Sequence, residues 1–219
     1  MADITIIFYT LNKLPKKWQE FHKKTLLEAA GDNPIISISK EPMDLGQNVI
    51  QTEEPCMSNI YWQILKGCKM AKTLYVGLAE DDVLYPKEHF DYRPPQDTIA
   101  FNHSRWCIFT RGEPFYFHKD WDANCITIAP TKLMVDAYEE RFTKFKTLPR
   151  TCAAGVNWIE KQLGLTKRKS LRFWTRDPIV QFHHKYSHNP DETKKKPKLI
   201  QAYDIPKWGP SKDIVNHFI

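Results

Sequence analysis

The chain has 219 residues, of which 42% are apolar, 26% charged and 13% aromatic. That length predicts one sizeable domain with its own core, and the composition excludes wholesale disorder and collagen-like repeats. No stretch approaches the roughly 20 apolar residues that cross a bilayer. The opening Met1-Ala2-Asp3-Ile4 has no basic or long apolar leader, so a cytoplasmic protein is expected. Five cysteines (56, 68, 107, 125 and 152) form no CxxC pair, which predicts reduced thiols rather than a zinc site or disulfide framework.

Ile4–Tyr9 is a continuous apolar run and reads as a strand buried on both faces. Trp18, Phe21, Leu26 and Ala29 form a helical stripe that ends at Gly31-Asp32-Asn33-Pro34. Ile35–Ile38 is a second strand, which makes a β-α-β unit with a parallel pair. The stretch 40–52 reads as irregular. Ser58 is expected to cap a helix running to about Ala71. Leu74–Ala79 is a third strand that runs into Glu80-Asp81-Asp82.

From His89 onward the pattern changes to short strands at Ile99–Asn102, Trp106–Phe109, Phe115–Phe117 and Ile126–Ile128. Helices are expected over Thr131–Lys144 and Gly155–Leu163. The whole predicts an α/β fold with an open mixed sheet flanked by helices. In such sheets ligands bind beyond the carboxyl ends of the strands.

Net charge is +6, unevenly placed. Residues 161–200 hold eleven Lys/Arg against Asp177, Asp191 and Glu192. Such a segment suits a polyanion, or else is a solvated loop. Its cations interleave with aromatics: Lys167, Arg168, Lys169, Arg172, Trp174, Arg176 and Lys185 are the candidate nucleic-acid contacts.

The triplet Glu80-Asp81-Asp82 closes an apolar strand, where three carboxylates repel one another. If extension continues, Glu80 and Asp82 share one side and Asp81 takes the other. Two such oxygens suit Mg2+ or Mn2+ shared with a substrate diphosphate. The alternative is that the acids cap the next turn or pair with Lys87 and Arg93.

These stretches resemble the GT-A class of glycosyltransferases, more narrowly small phage and bacterial enzymes near family-2 glycosyltransferases. The matching segments are IFYTLN (Ile6–Asn12), IISISKEPMDLGQN (Ile35–Asn48), MSNIYWQILKGCKMA (Met57–Ala71), LAEDDVLYP (Leu78–Pro86), HFDYRPP (His89–Pro95) and NHSRW (Asn102–Trp106). The family's commoner form of the acidic motif is Glu-His-Asp, so Asp81 is a departure.

The resemblance implies a single GT-A-like domain over 1–219, with a nucleotide-sugar-binding half (1–98), an acceptor half (99–165) and a basic segment (166–219). It implies a UDP-sugar donor, with UDP-glucose the first choice, held by Tyr9, Thr10, Asn12, Asp44, Gly46, Gln47, Asn48, Glu80 and Asp81. Tyr9 would stack on the base; its alternative is a place in the core. Mn2+ or Mg2+ would sit on Glu80, Asp82 and His184, with His183 the neighbouring alternative to His184. Asp122, then Asp120, then Glu160 would supply the base, and Trp121 a flat face for the acceptor. Joined to the basic segment, the resemblance points to a hydroxymethylpyrimidine base in phage DNA as acceptor. A cell-surface glycan, lipid or protein is the alternative acceptor, and a non-enzymatic nucleic-acid-binding protein the third reading.

Overall fold

The computed structural model describes residues 2–54, 56–145, 159–187 and 200–218. The run Lys194–Lys198, His188, Cys152 and the first part of the helix expected over 155–163 lie outside the described residues.

The first strand, β1 (Ile4–Tyr9), is buried at every position. It is flanked on both sides by parallel partners, β2 (Ile35–Ser39) and β4 (Tyr75–Glu80). That placement explains its unbroken β-branched run, since neither of its faces meets water. Helix α1 (Lys16–Ala30) buries Trp18, His22, Leu26 and Ala29, a stripe at helical spacing. Helix α2 (Met57–Met70) joins the edge strand β3 (Gln47–Ile50) to β4. Because β2 and β4 lie on opposite sides of β1, right-handed crossovers put α1 and α2 on opposite faces. Gly67 lets α2 lie close on β1: a Cβ there would come within 2.4 Å of Ile7 Cγ2.

Two local expectations are corrected. Residues 47–50 are a strand, not irregular chain. Their exposed and half-buried side chains fit an edge, and Gly46 (φ 61) lets the chain pass β2, where a Cβ would meet the Ile35 carbonyl oxygen at 2.2 Å. Ser58 does not cap α2. The cap is Cys56, without a side-chain hydrogen bond, and Ser58 lies inside the first turn.

After β4 come β5 (Val83–Leu84), α3 (Lys87–Asp91), β6 (Thr98–Asn102), β7 (Arg105–Phe109), β8 (Tyr116–His118), β9 (Thr127–Pro130) and α4 (Thr131–Lys144). Then follow α5 (Ile159–Gln162), β10 (Lys169–Phe173), β11 (Ile179–His183), β12 (Gln201–Ala202), β13 (Asp204–Ile205), β14 (Gly209–Pro210) and α6 (Ser211–Asn216). The large sheet has the order β10-β6-β9-β4-β1-β2-β3, with β9 antiparallel to both its neighbours. This is the open mixed sheet flanked by helices that the sequence predicts. A second sheet, β12-β8-β7-β11-β5, packs over a separate core containing Trp18, Ile108, Tyr116, Val180, Phe182 and Phe218.

The topology already points to one place. β4 belongs to the large sheet and β5 to the small one, so the chain changes sheets across Asp81-Asp82. The small sheet then carries β11 alongside β5, and the Phe182 N–H donates to the Asp82 carbonyl at 2.8 Å.

Candidate functional site

The parallel strands of the large sheet all end at one edge, at Tyr9, Ser39, Ile50, Glu80, Asn102 and Phe173. A cavity of about 450 Å³ opens there. Its walls come from the loop after β1, the first half of α2, the acidic turn, and the end of β11.

All three acids line it, but not as an extended chain would place them. The strand stops at Glu80 and the backbone turns through Asp81-Asp82, so alternation across a strand does not apply. Each carboxylate instead has its own partner. The Tyr9 hydroxyl donates to Glu80 Oε1 at 2.6 Å. The Thr10 hydroxyl donates to Asp81 Oδ2. Asp82 Oδ2 lies 3.5 Å from His184 Nε2. The Trp18 indole N–H clamps the turn from below, donating to the Asp81 carbonyl at 2.7 Å. Arg93, one of the expected partners of the acids, reaches Asp3 at 2.6 Å instead.

Crowding shows in the acidities. Burial, reinforced by the Asp82 charge, pushes the Glu80 carboxyl up to about 8, against the pull of the Tyr9 hydrogen bond and of Arg105. Burial and the same Asp82 charge push Asp81 up to about 7, against the Thr10 hydrogen bond. Asp82 Oδ1 is buried and has no hydrogen-bond partner among the described residues. Such a group invites positive charge. Among the described residues, no set of three or more His, Cys, Asp or Glu side chains is placed to hold a metal ion. The orphaned Asp82 oxygen and the His184 imidazole are the donors that fit one, the carboxylate oxygen suiting Mn2+ or Mg2+ and the imidazole nitrogen favouring Mn2+ of the two. Glu80 is turned toward Tyr9, which is itself 5% exposed and offers a base little ring to stack on.

Several lining groups were not singled out in the sequence. Arg105 is buried among the acids, donating from Nη1 to the Trp121 carbonyl at 3.1 Å and from Nη2 to Gln181 Oε1. A lone arginine opening the apolar strand RWCIF was the available signal. On α2, Asn59 and Gln63 are four residues apart and each 4% exposed. Asn59 Nδ2 donates to the Glu53 and Glu54 carbonyls, both at 3.3 Å, which leaves Oδ1 without a partner; Gln63 Nε2 has none either.

Asp120 and Asp122 lie further along the same edge, both against buried His103. His103 Nδ1 meets Asp120 Oδ1, and His103 Nε2 meets Asp122 Oδ1 at 2.9 Å. Only the imidazolium form donates from both nitrogens. Arg172 adds contacts of 3.3 Å to Asp120 and 3.7 Å to Asp122. The His103 hydrogen bond holds the Asp120 carboxyl below its usual range, with the Arg172 charge helping. Glu160 is fully buried against Arg141, so no acceptor reaches it as a base.

Other candidates stand away from the cavity. Asn12 Oδ1 accepts from the Lys40 and Glu41 N–H groups at 2.9 and 3.0 Å. Asp44 is exposed and pairs with Lys23 at 2.8 Å. Gln47 is an exposed residue of β3, beside Gly46, and Asn48 Nδ2 donates to the Ser37 and Ser39 hydroxyls at 2.9 and 2.8 Å. Of the basic candidates, Arg168 pairs with Glu140, Lys169 with Asp97, Arg172 with Asp120, and Arg176 with Glu88 and Asp177. Lys167 is exposed, and Lys185 Nζ sits 4.7 Å over the Tyr186 ring.

No protein-family model matches the chain, and no curated protein matches it. Solved structures with a similar arrangement of elements include a nucleotidyl transferase from Methanothermobacter, 13% identical over 81% of this chain and 89% of that one, with a TM-score of 0.46. A glycosyltransferase involved in glycosylation of the major capsid of PBCV-1 is 11% identical over 81% of this chain and 91% of that one, with a TM-score of 0.47. TarS of S. aureus in complex with UDP-GlcNAc is 13% identical over 86% of this chain and 60% of that one, also at 0.47. Likenesses this distant assign no activity to the chain.

Proposed function

We propose that the chain is a glycosyltransferase that takes a UDP-sugar into the cavity at the sheet edge, with glucose the first choice of sugar. The observation that carries this reading is Asp82 Oδ1, buried and without a partner in an acidic turn that lines a cavity of about 450 Å³. A diphosphate arriving with its cation gives that oxygen the positive partner the chain withholds. Asn59 Oδ1 and Gln63 Nε2, an unpaired acceptor and an unpaired donor on one helix face, suit the edge of the donor's base. Thr10 holds Asp81, and Tyr9 holds Glu80.

Asp82 and His184 would hold a Mn2+ or Mg2+ ion, whose chemistry there is to neutralise charge growing on the departing diphosphate. Arg105 stands ready beside the acids for the same charge. In the transfer, the acceptor hydroxyl oxygen bonds to the anomeric carbon. The bond from that carbon to the diphosphate breaks, its electron pair leaves with the nucleotide, and the hydroxyl proton passes to a carboxylate. His103 and Arg172 engage both carboxylates, and Asp122 is the better base of the two: its Arg172 contact is the longer, 3.7 Å against 3.3 Å, and Asp120 is the more exposed and held in its weakly basic form.

The expected DNA acceptor requires unpaired cations along a phosphate track. Four of the six candidate cations face carboxylates instead, which favours the alternative acceptor over a DNA base. Purified chain incubated with UDP-glucose or UDP-GlcNAc and Mn2+ should bind the donor by calorimetry and release UDP. No donor binding with or without the ion would sink the reading.

A further inference from the structure

Beyond the donor cavity, the same sheet edge carries a second feature. Strands lie about 4.8 Å apart. Two strand spacings separate β4 from β6, and three separate β4 from β10. The residues that follow β6 and β10, His103 and Trp174, therefore stand roughly 10 to 14 Å along the edge from Glu80. Their rings are in contact, with centroids 6.1 Å apart. Trp121 lies between Asp120 and Asp122, the two residues clamped on His103. The cavity wall continues into this cluster: Arg105 holds the Trp121 carbonyl, and Lys119 Nζ lies 5.0 Å over the Trp121 ring.

Both indoles face water, Trp121 at 48% exposure and Trp174 at 65%. Large rings are seldom left so open, and here one packs on the His103 ring while the other belongs to the residue between the two carboxylates that His103 holds. The fixed charges around them balance: the Arg172 guanidinium and the Lys119 ammonium stand against Asp120 and Asp122. A polyanion gains no net attraction from such a cluster. A saccharide gains twice. Its C–H face carries partial positive charge that suits the negative face of an indole. Its hydroxyls donate to carboxylate oxygens, and Asp122 Oδ2 makes no hydrogen bond among the described residues.

We propose that Trp121 and Trp174 form the acceptor platform and that the acceptor is an uncharged saccharide, bound by ring stacking and by hydrogen bonds to Asp122. This deepens the proposed function and rests on it, because the platform is given meaning by a donor at Asp82.

The test separates the two. Labelled full-length chain is applied to a glycan array as wild type, as the Trp121→Ala/Trp174→Ala pair, as the Trp121→Phe/Trp174→Phe pair, and as Trp62→Ala. Trp62 is a third exposed tryptophan, stacked on Phe142 between α2 and α4. Wild type should retain neutral glycans, the alanine pair should lose that retention at least tenfold, the phenylalanine pair should keep most of it, and Trp62→Ala should match wild type. An array that stays blank for wild type, or retention unchanged in the alanine pair, overturns the platform. So does a labelled 24-base-pair DNA duplex bound more tightly than any glycan. Calorimetry with UDP and Mn2+ on wild type reads the donor site separately, so a missing donor leaves the array result standing, and a blank array leaves the donor result standing.

Discussion

The acidic turn at 80–82 and the basic stretch at 168–176 are both dense in charge, yet only the second is balanced within the chain. Arg168, Lys169, Arg172 and Arg176 each have a carboxylate at hand. Asp82 keeps one oxygen buried and unmatched, and its neighbours Glu80 and Asp81 are driven toward their neutral forms. Charge counted along a sequence cannot tell these cases apart. A charge answered by its own chain is architecture; a buried charge left unanswered marks where something else is meant to arrive.

That contrast can be broken, first where balance is deepest. Glu160 and Arg141 form a fully buried pair. Glu160→Gln should remove the carboxylate that faces the buried guanidinium and lower unfolding stability by about 3 to 5 kcal/mol, read by urea denaturation. Asp82→Asn is the opposite case. It should reduce UDP release at least about a hundredfold, about 2.7 kcal/mol. The melting temperature should hold or rise, because the substitution removes a charge that repels Glu80 and Asp81. A melting temperature that drops with activity would mean the acid belongs to the scaffold.

His89 sharpens the comparison at a group given no countercharge. Burial alone lowers it to about 3, and its Nε2 has no partner. Unfolded, it binds a proton near 6.5, so between pH 6.5 and 3 the unfolded chain holds the extra proton. Its contribution to stability is therefore whole above pH 6.5 and falls by about 1.4 kcal/mol per pH unit below it. Urea midpoints at pH 7, 5.5 and 4.5 should show wild type losing stability faster than His89→Gln by that slope. Parallel curves would place the titration elsewhere. The smallest effect is expected at the surface: Lys169→Ala, which breaks the exposed pair with Asp97, should shift stability by less than about 1 kcal/mol.

The strands β1, β2 and β4 were legible because they are short apolar runs set between turns and an amphipathic helix. The edge strand β3 was hidden by its polar residues, and the cap of α2 by a serine two residues too far in. At the site, Thr10, the acidic triplet and His184 were found in the sequence, and the structure gathers them around one cavity. Arg105, Asn59 and Gln63 were not, because their meaning depends on which partners they lack, and that is a property of packing. Ion pairs such as Arg168–Glu140 and Lys169–Asp97, 28 and 72 positions apart, are invisible to any count of local charge.

Trp18 gives the second core a say in the chemistry at the first. Its indole is wholly enclosed among Phe182 and Phe218, with ring centroids 4.5 and 4.7 Å away, while its N–H grips the Asp81 carbonyl. A change in that core is thus carried to the floor under the acids, and also to His184, whose ring centroid lies 5.2 Å from that of Phe218. Phe218→Ala should loosen nucleotide affinity measured by UDP titration; in this molecule a packing defect in the second core and a binding defect are mechanically one event.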